Sequence, residues 1–105
     1  MPAYVIVVTD VTDRERYEQY KAASPAAIAA GGGHFLVRGG ELVVLEGDWR
    51  PPRLVMLEFE DLEAAKRWYA SEVYQEAKKL REGAAGFRAV AVQGIDEKAL
   101  ARPAM

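Results

Sequence analysis

The sequence predicts an α+β domain, an antiparallel sheet with helices packed on one of its faces. Three observations predict it. Short β-branched runs recur at the start, middle and end of the 105-residue chain. Two segments of helical periodicity separate those runs, and an aspartate stands at the head of each. Runs of strand and helix alternate in an order that one layered sheet accommodates.

The elements follow in order. "AYVIVVT" at 3–9 is short and β-branched, a strand. "DVTD" is turn chemistry, and Asp13 is placed to cap the helix that opens with "RERYEQYKAA". Tyr17 and Tyr20 share one face of that helix with Ser24 and Ala27. Pro25 has no N–H to give, so the expectation is two helical pieces, with Ser24 capping the second and Pro25 at its first position. "PAAIAA" then ends at "GGG", a helix stop. "HFLVRGGELVVLEG" reads as a hairpin: a strand from His34, a turn at Gly39 and Gly40, and a second strand through Glu46. "DWRPPR" is a loop, because paired prolines cannot join a ladder. "LVMLEFE" at 54–60 is a further strand. Asp61 caps "LEAAKRWYA", and Ser71 opens "EVYQEAKKLREGA", with Val73, Ala77 and Leu80 as its apolar stripe. "FRAVAVQG" closes the sheet. The domain spans residues 1–95, and 96–105 form a loosely held tail. The order is β-α-β-β-α-β with one extra hairpin strand, and its simplest architecture is a ferredoxin-like α+β sandwich.

Composition narrows the function. Half the residues are hydrophobic, enough for a core without staples. Cysteine is absent and histidine occurs once, so thiolate and multi-histidine metal sites are excluded within one subunit and no metal is expected. The net charge of -2 and the lack of a basic run argue against a nucleic-acid partner or an anionic membrane surface. "MPAYVIVVTD" has no basic start, and no apolar run approaches the ~20 residues of a membrane span. The expectation is a soluble, cytoplasmic protein, of bacterial type by its Ala and Arg usage.

The strands are apolar on both faces. Val5 and Val7 oppose Tyr4, Ile6 and Val8; Val55, Leu57 and Phe59 oppose Leu54 and Met56; Ala89 and Ala91 oppose Val90 and Val92. Two helices cover one face only, and a sheet with one wet face alternates apolar with polar. A bare apolar face of this size is abnormal for a monomer. The expected partner is a second copy, in a homodimer with the two sheets facing each other; cover by a loop or by the tail is the alternative.

The segments "MPAYVIV", "HFLVRGGELVVLEGDWRPPRLVMLEF", "AKRWYASEVYQEAKKLREGAA" and "AVAVQG" resemble the family catalogued as domain of unknown function 1330, over about residues 1–95. The resemblance implies the dimeric α+β barrel superfamily, in which two ferredoxin-like subunits join their sheets. It implies no reaction. That superfamily includes cofactor-free monooxygenases, lactone isomerases, haem-dependent enzymes and ligand-sensing domains, so the fold leaves the function open.

Polar residues inside strand-like runs are the candidates for a site. Counting by twos, His34, Leu36 and Arg38 share a face, as do Leu42, Val44 and Glu46, and Leu54, Met56 and Glu58. Glu58 lies between Leu57 and Phe59, and a carboxylate buried there needs a cation or several donors. Arg38 is the expected partner, because its planar fork fits a carboxylate of Glu58, of Glu46 or of a ligand. One reading is a small-molecule pocket with Glu58 or His34 as general base or acid and Arg38, Glu46, Trp49, Tyr69 and Tyr17 around the substrate. The other is a noncatalytic ligand-sensing or assembly module in which a structural Arg–Glu pair fixes strand register, with His34 exposed at a strand start. Trp49 closes a pocket, packs at a dimer seam, or simply packs within its loop against Pro51 and Pro52. Trp68 is expected in the core, and Arg81 is read as complementing a helix dipole. No cofactor is expected; haem on the single His34 has only the superfamily analogy behind it.

Overall fold

The computed structural model describes residues 1–96. The tail expected at 96–105 lies outside the described residues apart from Asp96. Four strands, β1 (Ala3–Val11), β2 (His34–Arg38), β3 (Arg53–Phe59) and β4 (Ala85–Gln93), form one antiparallel sheet in the order β2-β3-β1-β4. Helices α1 (Arg14–Ala30), α2 (Leu62–Ala70) and α3 (Glu72–Lys79) follow β1 and β3. Both crossovers bring the chain back to the sheet on the same face. This is the ferredoxin-like topology.

Local chemistry starts each helix where the sequence says. The Asp13 carboxylate accepts from the Arg16 N–H at 3.1 Å and that of Asp61 from the Ala64 N–H at 2.7 Å. The Ser71 hydroxyl accepts from the Tyr74 N–H at 3.2 Å, splitting the second helical segment into α2 and α3. The glycine triplet stops α1 and lets it approach the sheet. A Cβ at Gly31 would sit 2.8 Å from Trp68, and one at Gly33 would sit 2.5 Å from the Phe59 ring.

Two expectations about α1 and the hairpin are corrected. The first helix is continuous through Pro25. A helical proline leaves the carbonyl four residues earlier without its donor, here Lys21. Arg38 supplies the missing donor: its Nη2 donates to the Lys21 carbonyl at 2.7 Å. The extra hairpin strand does not form. β2 pairs with β3, Gly39 turns the chain at φ 68° while its N–H donates to the Leu54 carbonyl, and residues 40–52 run without a ladder. Alternation is present in this arm, but among the described residues no strand pairs with it. Leu45 is consequently 94% exposed and Trp49 66% exposed.

The core lies between helices and sheet. Val5, Val7, Val55, Leu57 and Phe59 point down from the strands. Tyr17, Tyr20 and Ile28 of α1, Trp68 of α2, and Tyr74 and Ala77 of α3 meet them. The buried stripe of α3 is therefore Tyr74 and Ala77, with Val73 outside it. The opposite face carries Tyr4, Ile6, Val8, Leu54 and Met56, all half-buried, and beside them Val90 at 61% exposure. Among the described residues no element packs over that face, which leaves it apolar and open as the strand pattern requires.

Candidate functional site

The residues proposed from sequence as one pocket are distributed over four places. A β-bulge is the main cause. Between Phe35 and Val37, β2 spends two residues where β3 spends one. Before the bulge His34 stands opposite Glu58, on the open face; after it Arg38 stands opposite Val55, on the helix face. His34 Nε2 and Glu58 Oε1 are 3.0 Å apart, a pair that the sequence reading did not single out. Arg38 is committed elsewhere, to Lys21 and to the Phe35 ring, whose centroid is 4.5 Å from its Cζ. The Arg38–Glu58 pair does not form.

Tyr17 is buried beside Arg38 under α1, its ring 5.5 Å from that of Tyr20. The space they border with Ser24 and Phe35 is about 30 Å³, room for little more than a water molecule. Glu46 and Trp49 project from the arm. His34 and Glu58 border a shallow, more open hollow of about 660 Å³ with Pro2, Phe59 and Glu60, while Tyr69 borders a cavity of ligand size.

That cavity is a cleft of about 490 Å³ on the helix side, between α2–α3 and the β4 edge. Its floor exists because β4 carries small side chains there. Ala89 and Ala91 point toward the helices, in register with Val7 and Val5, yet both are left exposed. Trp68 and Tyr69 form one wall, their rings 6.0 Å apart and edge to face. Phe87 and Arg81 form the other end, and Lys66 and Lys78 stand at the rim. The volume falls within the range of ordinary small-molecule sites.

Arg81 is the residue that sequence reasoning set aside. The turn after α3 fixes it: its N–H donates to the Lys78 carbonyl and its carbonyl accepts from the Ala84 N–H. Its side chain does not bond the last carbonyls of the helix. It turns inward, 8% exposed, with Cζ 3.5 Å from the Phe87 centroid and 5.5 Å from that of Tyr20. Its Nε is buried without a hydrogen-bond partner among the described residues, as is the Trp68 Nε1. The signal was in the sequence. Tyr74, Ala77 and Arg81 are spaced i, i+3, i+7, so a cation continues the buried stripe.

Behind this wall the Tyr20 and Tyr74 hydroxyls are 2.9 Å apart and buried. Burial above all, with Tyr74 beside it, pushes the Tyr20 phenol well above the ordinary tyrosine range, and Arg81 opposes this in part. The two hydroxyls are held as one hydrogen-bonded pair. No cluster of three or more metal-ligating side chains occurs among the described residues. No helix among them is long and apolar enough to cross a membrane.

A ferredoxin-like α+β sandwich with a bare sheet face and a helix-side cleft defines the class. Residues 2–95 match the family described as "Domain of unknown function (DUF1330)", and the chain belongs to it. No curated protein matches the chain. Several solved structures are similar in fold. A protein of unknown function from Rhodopseudomonas palustris is 20% identical with a TM-score of 0.70, over 90% of this chain and 83% of that one. A dimeric ferredoxin-like protein of unknown function from Jannaschia sp. CCS1 is 15% identical with a TM-score of 0.66, over 90% and 100%. SnoaB from Streptomyces nogalater, a cofactor-independent oxygenase, is 15% identical with a TM-score of 0.60, over 90% and 94%.

Proposed function

We propose that the protein is a homodimer, closed by the open faces of two sheets, that binds a small organic molecule in the helix-side cleft of each subunit. The observation that carries the binding role is the cleft itself: about 490 Å³ of unfilled space bordered by aromatic rings and by cations. A site of mostly apolar walls with a few convergent polar groups is the common form of a small-molecule pocket. The dimer is supported by the bare sheet face and by similar proteins described as dimeric. In this arrangement the His34–Glu58 pair, the arm with Glu46 and Trp49, and Arg38 serve the subunit and its junction, and Tyr69 serves the ligand.

A second reading makes the cleft catalytic without a bound cofactor. It draws on Tyr69 and Lys78, adjacent titratable groups in its lining with Nζ 5.3 Å from the ring centroid, and on the cofactor-independent oxygenase among the similar structures. The lining includes neither carboxylate nor histidine, which favours binding as the primary role.

The test is a thermal-shift screen of small organic molecules, neutral and anionic, against wild type and against Ala89→Trp, which fills the cleft floor. A true ligand at about ten times its Kd raises the wild-type midpoint by on the order of 5–10 °C and leaves the filled variant unmoved. If no compound of either charge class stabilises the wild type, the cleft is not a binding site.

A further inference from the structure

We propose that the cleft takes an organic carboxylate on a flat apolar body, with the Arg81 guanidinium receiving the carboxylate. This rests on the reading of the cleft as a small-molecule site and assigns its ligand class. Arg81 is 8% exposed, and none of the ion pairs among the described residues includes it. A buried cation without an anion is costly to a fold, and an anionic ligand would offset that cost. Its near neighbours are aromatic faces, Phe87 at 3.5 Å and Tyr20 at 5.5 Å. Stacking on Phe87 leaves the donors to act in the guanidinium plane, where the Nη groups can meet the oxygens of a carboxylate.

The rest of the cleft selects the body and the charge. Trp68 and Tyr69 offer ring surfaces, and the exposed Ala89 and Ala91 leave a slot rather than a bulb. No acidic side chain lines the cleft. Lys66 is held by Glu63 at 3.0 Å, while Lys78 lies over Tyr69 and adds positive potential at the entrance.

The probes are naphthoate and its neutral counterpart naphthylmethanol, titrated into isotope-labelled wild type and Arg81→Met. Naphthoate is expected to bind wild type more tightly than the alcohol does. Arg81→Met weakens naphthoate by about tenfold to a hundredfold, the range for a lost hydrogen bond to a charged group, and leaves the alcohol unchanged. On binding, the indole N–H signal of Trp68 moves and that of Trp49, out on the arm, stays still. Equal naphthoate affinity in both proteins overturns the carboxylate assignment while the binding cleft stands. Binding of neither probe to wild type removes the cleft and this assignment together. Should Arg81→Met fail to fold, the wild-type spectra decide: naphthoate moving the Trp68 indole and Arg81 Nε–H signals supports the assignment, and naphthoate binding that leaves both in place overturns it.

Discussion

Single side chains show how closely the sequence and the site are connected. The tyrosine face of α1 was legible from its spacing, and both Tyr17 and Tyr20 are buried. What spacing leaves out is the partner across the core. Tyr20 meets Tyr74 from α3, 54 residues away, and two hydroxyls satisfy each other where either alone would be stranded. This pair predicts an alkaline limit to stability. The folded-state pKa of Tyr20 is raised above the value of about 10 that it has when unfolded. Its contribution is therefore fully present below pH ~10. Above that the unfolded chain loses the proton while the folded one keeps it, so stability falls as pH rises. Urea melts across the alkaline range, read beside phenolate absorbance, should show a fall that Tyr20→Phe reduces. At neutral pH the same substitution should cost about 1–3 kcal/mol, because the Tyr74 hydroxyl is left buried and alone. An unchanged alkaline slope in Tyr20→Phe would place the effect elsewhere.

At the scale of elements, composition and capping gave the right pieces and long-range compensation altered their joints. Asp13, Asp61 and Ser71 start helices because a capping oxygen acts locally, three residues ahead. Pro25 was expected to divide α1 for an equally local reason, and the reason is sound: a donor is missing. The helix continues because Arg38, from a strand, fills the vacancy at Lys21. The bulge at Leu36 makes this reach feasible by turning Arg38 to the helix face, and the same bulge dissolves its expected pairing with Glu58. Nothing in the run "HFLVR" marks a bulge, since its alternation is intact on either reading. Pro25 and Arg38 should therefore be coupled. Arg38→Met alone should cost about 0.5–1.5 kcal/mol, the net worth of one hydrogen bond at this exposed position. In a Pro25→Ala background, where the residue 25 N–H can serve Lys21, the cost should shrink toward zero. A double-mutant cycle by urea denaturation measures the difference, and strict additivity would mean that the two residues act independently.

For the whole molecule the question is what covers the second face of the sheet. The strand pattern foretold that face from sequence, and the fold leaves it open because every described helix lies on the other side. A stable pairing typically buries roughly 800 Å² per subunit. The apolar rows of β1, β3 and β4, together with the exposed arm, provide contiguous surface on which a copy of the chain can lie. A two-fold interface doubles every change made to it. Val90→Glu sets carboxylates from both subunits into one desolvated layer, while a lone subunit, with residue 90 at 61% exposure, tolerates the charge. Val73→Glu places the same charge on the outer side of α3, where it is also exposed, and serves as the control. Sedimentation should give wild type and Val73→Glu twice the 11.6 kDa of the chain, and Val90→Glu the single-chain mass with its far-ultraviolet circular dichroism unchanged. Wild type sedimenting at single-chain mass while folded would mean that something other than a second copy protects the face, and the sheet-to-sheet dimer would be abandoned.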